Sequence, residues 1–132
     1  MIYLLDSDVC VEVLRRREPA AGRVACESPG DLAIAAMTQA ELAYGILRHR
    51  NPTGARARLD HFLSAPIEIL PFDREAALVH ARLRDALRAQ PIGPHDLIIA
   101  SVAVAYRLIL VTRNVPEFER VPGLTVEDWT KA

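Results

Sequence analysis

Two carboxylates directly follow a short apolar run near the start of the chain. The stretch I-Y-L-L-D-S-D, residues 2–8, passes from four apolar residues straight into Asp6, Ser7 and Asp8. Carboxylates two positions apart at the mouth of a buried strand repel each other, so a compensating group is expected beside them. The pattern leaves two groups open, a phosphoryl group or a metal ion.

Apolar runs and helical periods along the chain indicate the elements that position these side chains. Strands are predicted at residues 2–6, 32–35, 67–70 and 108–112, with a short last strand near 124–126. Helices are predicted at residues 7–17, 20–26 and 38–49, after the break at residues 51–54 as far as about residue 64, and at residues 73–90 and 95–105. Strands alternating with helices predict an α/β fold, in which one domain over residues 1–132 has a short, mostly parallel sheet with helices on both faces.

The polar residues near the strand ends are mostly acidic. In a parallel α/β sheet, sites lie outside the carboxyl ends of the strands. Asp6 and Asp8 follow the first predicted strand, Glu41 lies in the helix after the second, Asp96 opens the helix before the fourth, and Asn114 and Glu117 follow the fourth. The predicted fold therefore gathers carboxylates at one edge of the sheet.

The phosphoryl alternative depends on a fixed cation. D-S-D-V at residues 6–9 fits the D-x-D-x-[TV] pattern of aspartyl-phosphate hydrolases, in which the first carboxylate attacks phosphorus. Such enzymes commonly hold the phosphoryl group with a lysine, and the only lysine of this chain is Lys131, near its end. An arginine could substitute, so the alternative stays open but disfavoured.

The metal alternative needs no lysine. Mg²⁺ takes oxygen ligands, keeps several waters and is held by a few carboxylates together with substrate phosphate oxygens. Paired ions of this kind generate a hydroxide and stabilise the leaving oxygen in phosphodiester hydrolysis. A bound cation would also remove the repulsion between Asp6 and Asp8.

Composition restricts location rather than activity. The net charge is −1, and the N-terminus has no basic region before its apolar run, so no secretory signal is expected and a cytoplasmic location is predicted. The longest apolar stretch, residues 97–106, is half the length of a membrane span. Cys10 and Cys26 have no metal-ligand spacing and are expected to be reduced and buried.

Four stretches carry a resemblance that covers residues 2–129. "YLLDSDV", "AMTQAELAYGI", "PIGPHDLIIASVA" and "LVTRNVPEFERVPGLTVEDW" are similar, in order and spacing, to the motifs of PIN-domain ribonucleases, and within that group to the VapC toxins of bacterial toxin–antitoxin pairs. The resemblance implies a Mg²⁺- or Mn²⁺-dependent endoribonuclease. It also implies a VapB-like antitoxin partner, a homodimer and a toxin–antitoxin hetero-oligomer.

The same resemblance implies roles for individual residues. Asp6, Glu41 and Asp96 would form the acidic metal centre, with Asp6 and Asp96 as direct ligands. Ser7 fits the small hydroxyl residue that follows the first aspartate. Asp8 stands where this pattern usually has asparagine, and Asn114, with Glu117 one helical turn on, stands where the family often has a further acidic group.

Structural alternatives remain for several of these residues. Asp96 could stabilise a helix start, Glu41 could be the acidic half of a capping box with Thr38, and Asn114 could be a turn residue. A different functional class, a catalytically idle binding module that acts through an antitoxin complex, also remains, although Asp6, Glu41 and Asp96 are all present.

Overall fold

A computed structural model describes residues 1–131 of the chain. The strands are β1 (Tyr3–Leu5), β2 (Leu32–Ala35), β3 (Glu68–Leu70), β4 (Ile109–Val111) and β5 (Val126–Glu127). The helices are α1 (Ser7–Leu14), α2 (Ala20–Cys26), α3 (Ala36–Leu47), α4 (Pro52–Ser64), α5 (Arg74–Ala86), α6 (Pro94–Tyr106) and α7 (Val115–Phe118), and a 3₁₀ turn covers Pro29–Asp31.

The five strands form one parallel sheet in the order β3-β2-β1-β4-β5. β1 lies at the centre, and it pairs with β2 on one side and β4 on the other. All five carboxyl ends therefore point to the same edge, which confirms the predicted α/β fold with a parallel sheet.

The sheet separates two apolar clusters, because successive strand residues point to opposite faces. Leu4 and Leu110 pack on one face against α5 and α6, and Leu5 and Val111 pack on the other against α1, α2 and α4. Helices thus cover both faces, as predicted. The helix α6 is buried over most of its length, which explains why the sequence of residues 97–106 is apolar all round.

Several element ends differ from the predictions. α1 ends at Leu14 rather than residue 17 because Arg16 adopts a left-handed conformation, with φ of 55°, that a right-handed helix cannot continue. α5 ends at Ala86 rather than residue 90, and β5 lies at Val126–Glu127 rather than near 124–126. The short helix α7 was not predicted.

The proposed capping box at Thr38 and Glu41 is wrong. α3 begins at Ala36, and its N-terminal cap, Ala35, is the last residue of β2. The chain passes from extended backbone directly into the helix, so Thr38 lies inside the first turn rather than before it. Its buried hydroxyl has no hydrogen-bond partner.

The structure also bears on the expectations for the two cysteines and for a membrane span. Cys10 is buried, as expected, but Cys26, at the end of α2, is exposed. No helix within residues 1–131 combines the length and apolar character needed to cross a bilayer.

Candidate active site

Asp6 lies at the carboxyl end of the central strand and begins α1. It is the N-terminal cap of that helix, and its Oδ1 accepts a hydrogen bond of 2.8 Å from the backbone N–H of Ser7. Its Oδ2 accepts a second bond of 2.8 Å from the hydroxyl of Thr112, at the end of β4. The side chain is 4% exposed. These contacts hold a buried carboxylate in one orientation at the centre of the edge.

The pKa of Asp6 is raised from 3.8 to about 7. Burial is the largest cause, and the negative charge of Asp8 is the next. The hydrogen bonds from Thr112 and Ser7 act in the opposite direction, since they favour the ionised form, and Asp96 adds a smaller repulsion. The carboxylate therefore lies in a position where its charge is costly unless a cation is present.

Asp8 is tied to the loop that follows β4. Its Oδ2 accepts bonds of 3.1 Å from the backbone N–H of Arg113 and 3.4 Å from the Thr112 hydroxyl. Its Oδ1 is buried, and no hydrogen-bond partner for it lies in the part of the chain that the structure describes. Burial raises the pKa of Asp8, and the contacts with Arg113 and Thr112 oppose that rise. Asp8 thus joins the first helix to the fourth strand.

Asp96 and Glu117 approach each other across the mouth of the site. Asp96 lies in the first turn of α6, whose N-terminal cap is Gly93, so its carboxylate does not cap the helix. Burial and the adjacent charge of Glu117, to which it can hydrogen-bond, raise the pKa of Asp96 to about 6, with smaller contributions from Glu41 and Asp8. A helix N-terminus normally favours the ionised form. Burial, together with the interaction with Glu117, outweighs that effect on the pKa of Asp96.

The backbone of Gly93 lies beside both carboxylates. Its backbone N–H donates a 2.9 Å bond to Oε1 of Glu117. A Cβ at position 93 would lie 3.4 Å from Oδ2 of Asp96 and 4.0 Å from Oε1 of Glu117. Both are ordinary contact distances, so the loop before α6 lies directly against both carboxylates.

Glu41 faces the same space from the second turn of α3. Its Oε2 lies 3.6 Å from Nδ1 of His95, the residue before Asp96. Its Oε1 is buried and has no hydrogen-bond partner among residues 1–131. An unpartnered carboxylate oxygen beside other carboxylates is a poor structural contact, and it is available to a cation.

These side chains have the chemistry of a site for a hard divalent cation. All are oxygen donors, three of them (Asp6, Asp8 and Asp96) have raised pKa values, and Asp8 and Glu41 each have a buried oxygen without a partner in residues 1–131. Within residues 1–131 no three His, Cys, Asp or Glu side chains converge closely enough to enclose a metal by themselves. Mg²⁺ does not require that, since it commonly takes one or two carboxylates and completes its shell with waters and substrate phosphate.

The segment after β4 supplies two residues that the sequence predicted, Asn114 and Glu117, and two that it did not. The side-chain amide of Asn114 donates a hydrogen bond to Glu117, and its backbone N–H donates one of 3.1 Å to the Thr112 hydroxyl. Asn114 therefore helps to hold these two side chains in place. The carboxylate beside Asp96 from this region is that of Glu117. Thr112 and Arg113 were not among the predicted site residues. A signal for Thr112 was its polar hydroxyl at the carboxyl end of an apolar strand.

Comparisons with known proteins agree with this architecture. The family model for the PIN domain matches residues 3–124. Ribonuclease VapC2 of Rickettsia felis is 34% identical over 135 residues, covering 99% of this chain and 100% of that protein. The tRNA(fMet)-specific endonuclease VapC of Shigella flexneri is 34% identical over 130 residues, covering 97% and 98%.

Solved structures give the same result. The chain matches the crystal structure of VapBC2 from Rickettsia felis bound to a promoter DNA fragment with a TM-score of 0.89, 33% identity and coverage of 98% and 99%. It matches the DNA-bound VapBC of Salmonella typhimurium with a TM-score of 0.90, 32% identity and coverage of 98% of both chains.

The parallel sheet with carboxylates at its edge, together with these matches, defines the class. The chain belongs to the PIN-domain family and, within it, to the VapC-type ribonuclease toxins. The aspartyl-phosphate alternative for Asp6 and Asp8 is not favoured by this membership.

Proposed function

We propose that this protein is the toxin of a toxin–antitoxin pair and hydrolyses RNA phosphodiester bonds with the help of Mg²⁺ or Mn²⁺. The observation that carries the proposal is the electrostatic coupling of Asp6, Asp8, Asp96, Glu117 and Glu41 at one edge of the sheet. Such mutual repulsion is relieved by a divalent cation. Asp6 and Asp96, with Glu41, are the residues that would hold it.

The chain's own residues would keep the site in register. Thr112 and Ser7 orient the Asp6 carboxylate through bonds of 2.8 Å, and Gly93 holds Glu117 against Asp96. A bound divalent cation would lower the pKa of a water and offset charge on the phosphate oxygens. Glu41, whose Oε2 lies 3.6 Å from Nδ1 of His95, would hold the cation from the α3 side of the site.

The direct experiment is RNA cleavage by the purified chain with Mg²⁺, with Mn²⁺ and with a chelator. The Shigella flexneri relative is named for tRNA(fMet), so initiator tRNA is the first substrate to assay. Asp6→Asn is expected to lower the rate by orders of magnitude. Asp60→Asn, an exposed carboxylate paired with Arg56 on α4, is the matched control and should leave the rate unchanged.

The same assay separates the alternative class. A catalytically idle binding module would bind an antitoxin but cleave no RNA under any metal condition. Metal-independent cleavage that survives Asp6→Asn would contradict the proposed acidic centre and leave the ribonuclease assignment intact.

A groove between α1, α3 and α4 supports an antitoxin partner. Its apolar walls include Val11, Leu42 and Leu59, its volume is about 270 Å³, and Ser7 and Glu41 also line it, so it leads to the acidic centre. We propose that an antitoxin segment lies in this groove and places a basic side chain beside the carboxylates. VapBC complexes are among the structures that this chain resembles.

Gly45 allows a test of that groove. It lines the groove on α3, and a Cβ there would meet no atom within 4 Å. Gly45→Phe should fold normally but reduce recovery of the antitoxin in a co-expression pull-down with the neighbouring small reading frame. Gly30→Ser, at another open glycine, is the control. If Gly45→Phe recovers the partner as well as the parent does, the groove is not the docking site.

A homodimer is also proposed. Tyr44 and Leu47 on α3 are 64% and 77% exposed, and Phe72 and Leu78 are large apolar side chains that are also exposed. Exposed apolar groups of this kind are typical of protein contacts. Light scattering at micromolar concentration should give a dimeric mass, and a strictly monomeric mass would contradict the proposal.

A further inference from the structure

Arg113 lies immediately beyond the strand that orients Asp6. The preceding residue, Thr112, donates its hydroxyl to Asp6, and the backbone N–H of Arg113 donates a 3.1 Å bond to Asp8. The positive charge of Arg113 counters the rise in the pKa of Asp8. A guanidinium group therefore lies close to the carboxylate edge of the sheet.

Glu12 holds that guanidinium in place. It lies one helical turn after Asp8 on α1, and its side chain is only 14% exposed. Its Oε1 contacts Nη1 of Arg113 at 3.4 Å, and its Oε2 contacts Nη1 of Arg17 at 3.3 Å. The two arginine side chains are 58% and 56% exposed, so they form nearly equal ion pairs with one carboxylate.

The two arginines differ in what lies beside them. Arg113 is joined through its own backbone to Asp8 and through Thr112 to Asp6. Arg17 follows the end of α1, and its guanidinium contacts the other carboxylate oxygen of Glu12. Each arginine uses part of its guanidinium on Glu12, and its remaining N–H donors point to solvent or to a ligand.

We infer that Arg113 binds a phosphate of the RNA next to the bond that is cut, and that Glu12 is the positioning residue that orients it. The inference rests on the proposed ribonuclease function. An edge with several carboxylates repels a polyanion, and a fixed, exposed guanidinium beside that edge supplies a bidentate phosphate contact. The phosphate of RNA is the group that the positive charge of Arg113 attracts, whereas the basic side chain proposed for the antitoxin would pair with the carboxylates.

The first test is RNA binding without cleavage. Binding of fluorescein-labelled initiator tRNA would be measured in chelator between 50 and 200 mM salt. Loss of one phosphate contact in Arg113→Gln should make the slope of log K against log salt less negative by about 0.7. Arg17→Gln removes a matched ion pair with Glu12 and should keep the parental slope.

The second test is kinetic. With Mg²⁺ present, Arg113→Gln should raise KM about three- to tenfold and leave kcat within about twofold, because a contact outside the reacting atoms is made equally in the ground and transition states. Arg113→Lys should restore the salt slope, since it keeps one positive charge. Glu12→Gln should raise KM less than Arg113→Gln does.

The outcomes separate this inference from the proposed function. Equal binding and kinetics for Arg113→Gln and Arg17→Gln, in a parent that binds and cleaves RNA, would overturn the role of Arg113 alone. An unchanged RNA slope with weaker antitoxin binding would assign Arg113 to the antitoxin and also overturn it. A parent that neither binds nor cleaves RNA would overturn both.

Discussion

Asp96→Asn should stabilise the metal-free protein. The pKa of Asp96 is raised from 3.8 to about 6, so at pH 8 the folded state contains a carboxylate whose charge is disfavoured by burial, Glu117, Glu41 and Asp8. This rise in the pKa corresponds to a loss of about 3 kcal/mol in the free energy of unfolding if solvent does not screen the charge. Because the side chain is partly exposed, solvent screening reduces it to about 1–2 kcal/mol. The asparagine amide can still donate to Glu117.

The direction of the pH dependence of stability follows from the pKa of Asp96 in the folded and in the unfolded state. The folded state holds the Asp96 proton more tightly than the unfolded chain does, so the metal-free parent loses stability as pH rises from about 4 to about 6. The variant lacks this loss. At pH 8 in chelator its Tm should be about 3–8 °C higher than the parent's, and the difference should nearly disappear at pH 4.

Added metal should reverse the effect, so that the parent is stabilised more than Asp96→Asn. Mg²⁺ or Mn²⁺ stabilises whichever form binds it, so the parent should gain more in Tm than Asp96→Asn, and the variant should lose RNA cleavage by orders of magnitude. Thermal melting of parent, variant and the Asp60→Asn control, with and without metal, measures this. A variant that melts below the parent at pH 8 in chelator yet cleaves RNA at the parental rate would refute the reasoning and return Asp96 to a purely structural role.

Two further predictions concern the support of Asp6. At subsaturating Mg²⁺, RNA cleavage should rise with pH up to about 7, because Asp6 and Asp96 must be ionised, and Asp8→Asn should move that rise to lower pH by removing the largest neighbouring charge on Asp6. An unmoved pH–rate curve would argue against the coupling. Thr112→Val should cost about 1–3 kcal/mol in urea unfolding, since Asp6 and the backbone N–H of Asn114 lose a partner, whereas Thr112→Ser should stay within about 1 kcal/mol.

Much of the fold could be predicted because the spacing of apolar residues along the chain differs between strands and helices. The short apolar runs at residues 2–6 and 32–35 predict strands that are buried on both faces. The stretch at residues 97–106 is apolar on all sides, which predicts a helix that is buried all round. Element ends were less predictable. The left-handed conformation of Arg16, which ends α1, has no glycine or asparagine to signal it.

The site could be predicted in outline but not in its contacts. Placing Asp6, Asp8 and Asp96 near one edge required only the rule that parallel strands end together. The capping box was predicted wrongly because the spacing of Thr38 and Glu41 along the sequence does not show where the helix begins. In the structure β2 continues directly into α3, so Thr38 lies inside the helix.

The sequence by itself determined the alternation of strands and helices and the acidic residue that ends the central strand, because both depend on neighbours along the chain. The tertiary structure alone decided that Thr112 donates to Asp6 across 106 positions, that Glu117 lies against Asp96, and that Glu12 shares its carboxylate between Arg17 and Arg113. The contacts of Thr112 with Asp6 and of Arg113 with Glu12 follow from β4 lying beside β1 in the sheet, a strand order that depends on the packing of the whole core and that no local spacing encodes.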